Sequence, residues 1–181
     1  MIGTVERIRN LLRPLNAHGD TRGFLRTSVD DDLGTAVAQP LSSMLAEANF
    51  AQAPYPPRHP PADPLPTTVD GLTALLKAVT LPADRLLSLL VSTCTQDLAY
   101  GSPKGPWDPE TARRILEQIV RVLGTQACWW SNNDFSFTQA WEADGRPDCY
   151  ASTSLTGYAV DRVLIGVGEG AIVTILAFAD D

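Results

Sequence analysis

Apolar side chains recur every three or four positions through the first two thirds of the chain and every second position through the last third. The pattern therefore predicts helices followed by strands. Val5, Ile8, Leu11, Leu12 and Leu15 follow Thr4, a residue suited to an N-cap, and predict a short amphipathic helix whose end Pro14 distorts. HGDTRG then reads as a loop. Pro40 ahead of Leu41, Met44, Leu45 and Ala48 predicts a second helix ending near Phe50. Leu72, Leu75, Leu76 and Val79 form another stripe at helical spacing. LPADRLLSLLVSTCTQDLAYG reads as a longer helix begun by Pro82 and apolar around most of its circumference, which makes it central. After the loop GSPKGP, Asp108 caps and Pro109 occupies the first turn of a helix. Its buried face is Ile115, Leu116, Ile119, Val120 and Leu123, and Gly124 stops it.

From Gln126 the period changes. Phe135 and Phe137 alternate with Ser136 and Thr138, while Asn132-Asn133 and Asp144-Gly145 supply turn residues. The chain then runs VDRVLIGV, Gly-Glu-Gly, AIVTILAFA. Both arms are β-branched and too apolar on both faces for a solvated strand, so helices are expected to cover the sheet. These elements predict an α+β fold, a helical N-terminal part packed on a mostly antiparallel C-terminal sheet that ends in a β-hairpin. One domain over 1–181 is expected, divided into N-terminal helices (1–53), a proline-rich strap (54–66), further helices (67–125) and the sheet (126–181). The strap, PYPPRHPPADPLP, holds seven of the fourteen prolines and reads as a stiff polyproline-like connection.

Composition sharpens this picture in three ways. A chain of 181 residues with 44% hydrophobic and 19% charged residues is long enough for one self-sufficient core. Cys94, Cys128 and Cys149 are an odd number of widely spaced thiols, which speaks against a disulfide framework and suits a reducing cytoplasm. No run approaches the roughly 20 apolar residues that span a bilayer, and Glu6, Arg7 and Arg9 interrupt the N-terminus where a signal peptide would be apolar. A cytoplasmic protein is expected. Arginine outnumbers lysine twelve to two, a bias associated with GC-rich coding and hence a bacterial source.

Charge is distributed unevenly. The chain carries a formal −7, yet residues 1–26 hold five arginines against Glu6 and Asp20. Residues 130–181 hold eight acids against Arg146 and Arg162. An acidic C-terminal third disfavours nucleic acid and favours a basic partner.

The motifs of known chemistries do not assemble. Gly166, Gly168 and Gly170 could suggest a dinucleotide fingerprint, but that motif opens a helix, and here AIVTILAF follows, which is strand-like. The glycines are therefore assigned to a hairpin turning at Gly168 to Gly170, where positive φ and close packing need them. His18 and His59 lie in no catalytic motif, no serine sits in G-x-S-x-G, and Cys94 falls on an apolar helix where a buried thiol is inert. Asp30, Asp31 and Asp32 read as a solvated charge run rather than a calcium loop. No catalytic residue, cofactor or metal ligand is assigned.

One cluster stands out. Trp129, Trp130, Phe135, Phe137, Trp141, Tyr150 and Tyr158 are seven of the thirteen aromatics, interleaved with Asp134, Glu142, Asp144 and Asp148. On a strand, Trp129 and Trp130 point to opposite faces, so one can enter the core and leave the other exposed. An exposed ring supplies a desolvated anchor while carboxylates steer a basic partner. Trp129, Trp130, Asp134, Trp141, Glu142, Asp144 and Asp148 are accordingly the expected partner-binding residues. The expected function is a protein-binding inhibitor of the immunity or antitoxin type that neutralises a basic toxin. A small enzyme or ligand-binding domain with a site between helices and sheet, using Arg22, Arg26 and Asp30–Asp32, is the alternative. A scaffold that assembles through the proline strap and strand edges is another.

Overall fold

The computed structural model describes residues 2–17, 21–27, 68–135, 151–155 and 159–179. The expected helix at 41–50, the proline strap, Phe137 and the Asp144-Gly145 turn lie outside these residues.

Helix α1 spans Ile2–Asn16. It begins before Thr4, so that residue lies within the helix instead of capping it. The extra turn begins at Ile2, three positions before Val5, so the apolar spacing continues to the start of the helix. Ile8, Leu12 and Leu15 form its buried face. Helix α2 (Val69–Leu75) is capped by Thr68, whose hydroxyl accepts from the Gly71 N–H at 3.1 Å. It is shorter than the stripe to Val79 suggested, because Lys77–Ala78 leave it as strand β2.

Helix α3 (Ala83–Thr95) is buried on every side from Leu89 to Thr95, as its all-round apolar surface implies. Pro82 is its N-cap rather than its first helical residue, and the helix stops before TQDLAYG ends. Asp97 is the reason: its Oδ1 accepts from the Ala99 and Tyr100 N–H groups at 2.9 and 3.0 Å, offering the backbone a turn in competition with the helix. Helix α4 (Pro109–Leu123) follows its expected signals closely. Asp108 accepts from Thr111 N–H at 2.9 Å, and this bond, with that from the Thr111 hydroxyl, holds its carboxyl below the ordinary value. Leu116, Ile119 and Leu123 are buried.

Among the described residues the main sheet has five antiparallel strands, in the order β1 (Thr21–Thr27), β7 (Ala171–Ala179), β6 (Val160–Gly168), β3 (Cys128–Ser131) and β2 (Lys77–Ala78). Strand β1 (Thr21–Thr27) corrects the sequence reading, which put Thr21-Arg22-Gly23 in a loop within an all-helical N-terminal part. Two contacts from α1 explain the difference. Leu12 packs so closely that a Cβ on Gly23 would lie 3.0 Å from its Cδ2. The Asn16 amide then bonds both backbone groups of Gly23, donating to its O at 2.9 Å and accepting from its N at 2.8 Å. The glycine that looked like a loop signal is a spacer under a helix.

Strands β6 (Val160–Gly168) and β7 (Ala171–Ala179) form the C-terminal hairpin, and every residue of β7 is buried. Alternate residues explain how. Leu164, Ala171, Val173 and Ile175 pack with Ile8, Leu89, Leu116, Ile119 and Trp129 beneath α1, α3 and α4. Val163, Ile165, Ile172, Leu176 and Phe178 face the other way, onto Leu72 of α2 and Leu155. The fold is α+β, with helices packed on a sheet that ends in a hairpin, as expected.

At the tip, Gly168 pairs with Ala171, leaving a two-residue turn rather than a Gly-Glu-Gly loop. Positive φ falls on Glu169 (44°) and Gly170 (71°), the sign pattern of a type I′ turn, and not on Gly168. Gly168 is needed for a different reason: a Cβ there would lie 2.1 Å from the Leu123 carbonyl oxygen, at the end of α4. Among the described residues, no helix is long and apolar enough to cross a membrane.

Candidate functional site

Strand β3 (Cys128–Ser131) carries the two adjacent tryptophans, and pairing with β6 sets their directions. Trp129 sits opposite Gly166, where a Cβ would come within 2.6 Å of the indole. The missing side chain is thus the seat of the ring, and Trp129 is 5% exposed in the core under the helices. Trp130 points to the other face, half-buried against the cluster of Leu72, Leu155 and Ile165. The pair divides between core and partial exposure as a strand requires, with Trp130 the accessible member.

Beyond Ser131 the chain leaves the main sheet. Asn133–Asp134 form strand β4, which pairs with β5 (Ala151–Ser152) in a separate two-stranded ladder. Asn132-Asn133, which the sequence marks as turn residues, is therefore a corner between two sheets. Asn132 is 2% exposed, and its side chain makes the corner. Its Nδ2 donates to Asp161 Oδ1 at 2.8 Å and to the Thr153 carbonyl at 2.9 Å, and its Oδ1 accepts from Val163 N–H at 2.8 Å.

Asp161 is the centre of this network, also 2% exposed. Its Oδ2 accepts from Leu155 N–H at 2.9 Å and from the Ser154 hydroxyl at 3.2 Å. A buried carboxylate surrounded by donors avoids the large cost of an unpaired interior charge. The next residue, Arg162, faces the helices. It donates to Thr93 Oγ1 at 3.3 Å, and its guanidinium carbon lies 5.6 Å from the centre of the Phe135 ring.

Of the expected partner-binding residues, the structure brings Trp130 and half-buried Asp134 to this corner and sends Trp129 into the core. Trp141, Glu142, Asp144 and Asp148 lie outside the described residues. Arg22, from the alternative site, donates to the Asn16 carbonyl at 3.3 Å on β1, and Asp30–Asp32 lie outside the described residues. Cys94 is buried, and desolvation pushes its thiol up to about 12, so it is protonated at neutral pH; Cys128 is exposed. Lys104 bonds the Phe178 carbonyl at 3.1 Å and lies 3.6 Å from Asp97, tying the loop after α3 to the end of β7.

The sequence reading assigns no role to Asp161 and takes Asn132 only as a turn residue, although one signal is present. Asp161 shares strand parity with Val163, Ile165 and Val167, so a charge stands where the pattern calls for an apolar residue. No known protein family matches this chain, and comparison with curated proteins and with solved structures finds no match.

Proposed function

We propose that the protein is a cytoplasmic inhibitor of the immunity or antitoxin type, which binds a basic toxin through an acidic, aromatic surface. The partition of charge is the observation that carries this reading. Residues 130–181 hold eight Asp and Glu against Arg146 and Arg162, whereas residues 1–129 hold thirteen against twelve Lys and Arg. The first 129 residues are close to neutral, and the acidity is concentrated in the C-terminal stretch that carries Trp130 and Asp134. Toxic nucleases carry positive charge to hold phosphate backbones, so an acidic inhibitor associates with them rapidly and competes for the same groups.

Capture of partners on the immobilised protein, followed by binding kinetics with the isolated partner, tests the reading. Trp130→Ala is expected to raise the dissociation rate, because it removes the anchor ring. Neutralising Glu142 and Asp144 is expected to slow association, with a salt dependence set by a Debye length of about 8 Å at physiological ionic strength. A partner that is acidic, or one bound equally well by all three variants, sinks the proposal.

A further inference from the structure

The arginine excess of the N-terminus is the half of the charge asymmetry that the proposed function leaves unused. The fold gives it a companion. Arg7, Arg9 and Arg13 are exposed on α1, and Arg113, Arg114 and Arg121 are exposed on α4 beside it. The two helices hold no lysine, and their acids are Glu6, Glu110 and Glu117. The acidic C-terminal third, which disfavours nucleic acid, contributes no residue to either helix.

Most of this positive charge has no counter-charge. Arg9 pairs with Glu6 at 2.7 Å. Arg7 and Arg113 donate to neutral acceptors, Gln118 Oε1 at 2.8 Å and Ser88 Oγ at 3.4 Å, and Arg13 donates to Asn10 Oδ1. Among the described residues the guanidinium groups of Arg114 and Arg121 form no hydrogen bond or ion pair. Gln118 lies four positions after Arg114 and three before Arg121, so the three side chains share one stripe of α4. Its Nε2 donates to the Arg114 carbonyl at 3.2 Å, and its Oε1 holds Arg7. Arg7 is thereby docked at the middle of a stripe that carries Arg114 and Arg121 about 10 Å apart along the helix axis. Glu110 and Glu117 lie further round α4, on the side away from Arg7.

Guanidinium groups gathered in this way repel one another, and an anion laid along the seam relieves the repulsion while accepting bonds from each. A phosphate backbone suits a row of this kind, because it presents a charge every 3.4 Å or so of duplex axis on each strand. A lipid surface calls for apolar side chains beside the basic ones. Here those of both helices, Ile8, Leu12, Leu15, Leu116, Ile119 and Leu123, are in the core, and the exposed large hydrophobic side chain among the described residues is Tyr100, beyond α3. We propose that the α1–α4 seam, centred on Arg7, Arg114 and Arg121, binds the phosphate backbone of duplex nucleic acid without regard to sequence. The proposal does not rest on the toxin-inhibitor reading.

Fluorescence anisotropy of a labelled DNA duplex, titrated with the full chain at several salt concentrations, tests it. Three phosphate contacts give an expected log–log salt slope of about −2.7. Arg114→Ala combined with Arg121→Ala is expected to bring the slope to about −1 and to weaken binding at low salt by about tenfold or more. The melting temperature should not change, because neither guanidinium bonds the fold. Lys77→Ala, on edge strand β2, is expected to leave the affinity within about twofold. No binding at low salt, or equal binding by the double variant, overturns the proposal. Displacement of the duplex by polyglutamate or by phosphatidylserine vesicles more readily than by unlabelled DNA also overturns it, and assigns the seam to a protein or a membrane instead.

Discussion

The tip of the β6–β7 hairpin and the corner between β3 and β4 are written in the same class of residue and use it in opposite ways. At the tip, Glu169 and Gly170 take the positive φ values that let two residues join the strands. At the corner, Asn132 turns its side chain inward and bonds Asp161 and Val163, some thirty positions along the chain. The first is local backbone chemistry. The second is a long-range polar contact that uses a turn residue because its amide both donates and accepts. Turn-forming residues thus carry two kinds of information, and substitutions separate them.

The largest effect is expected where the hairpin meets the helical layer. Gly168→Val places a Cβ 2.1 Å from the carbonyl oxygen of Leu123, a backbone atom that cannot rotate away. Relief requires α4 and β6 to move apart, and a loss of about 4 kcal/mol or more in a denaturant titration is expected. A loss below about 1 kcal/mol would mean that the two elements separate freely.

Next comes the corner. Asn132→Ala leaves the Val163 N–H without its acceptor and takes one donor from a buried carboxylate. About 3 kcal/mol of destabilisation is expected, with the Trp130 fluorescence environment altered because that ring lies two residues upstream. At the tip, Gly170→Ala is expected to lose only about 1 kcal/mol, the local strain of a left-handed Cβ. If the tip proves more sensitive than the corner, the distinction between local and long-range roles is wrong.

This distinction accounts for which parts of the structure could be anticipated. Helix α4 was readable because its cap, first-turn proline and apolar face lie within one continuous segment. The hairpin was readable for the same reason. Strand β1 was not, because its glycine answers to Leu12 and its backbone to Asn16, both on another element. The same holds within the candidate site. Adjacent tryptophans on a strand had to face opposite ways, but which of them is buried depends on Gly166, far along the chain. Asp161 was visible only as a breach of alternation, and its partners lie on two other segments.

The smallest predicted effect has the opposite sign. Thr174 lies midway along β7 between Ile172 and Leu176, on the face that packs against Leu72 and Leu155, and is 1% exposed. Unlike Asn132, whose buried polar atoms are all used, its Oγ1 has no hydrogen-bond partner. A buried hydroxyl that forms no bond forfeits its hydration with nothing in return, while its β-branched shape still fits the strand. Thr174→Val retains the branching, replaces the hydroxyl with a methyl group and is expected to stabilise the fold by up to about 1 kcal/mol. The corresponding removal of polar atoms at Asn132 should do the reverse, so the pair of variants asks whether burial or bonding decides the sign. A lower melting temperature for Thr174→Val would show that the hydroxyl contributes to the packed sheet after all.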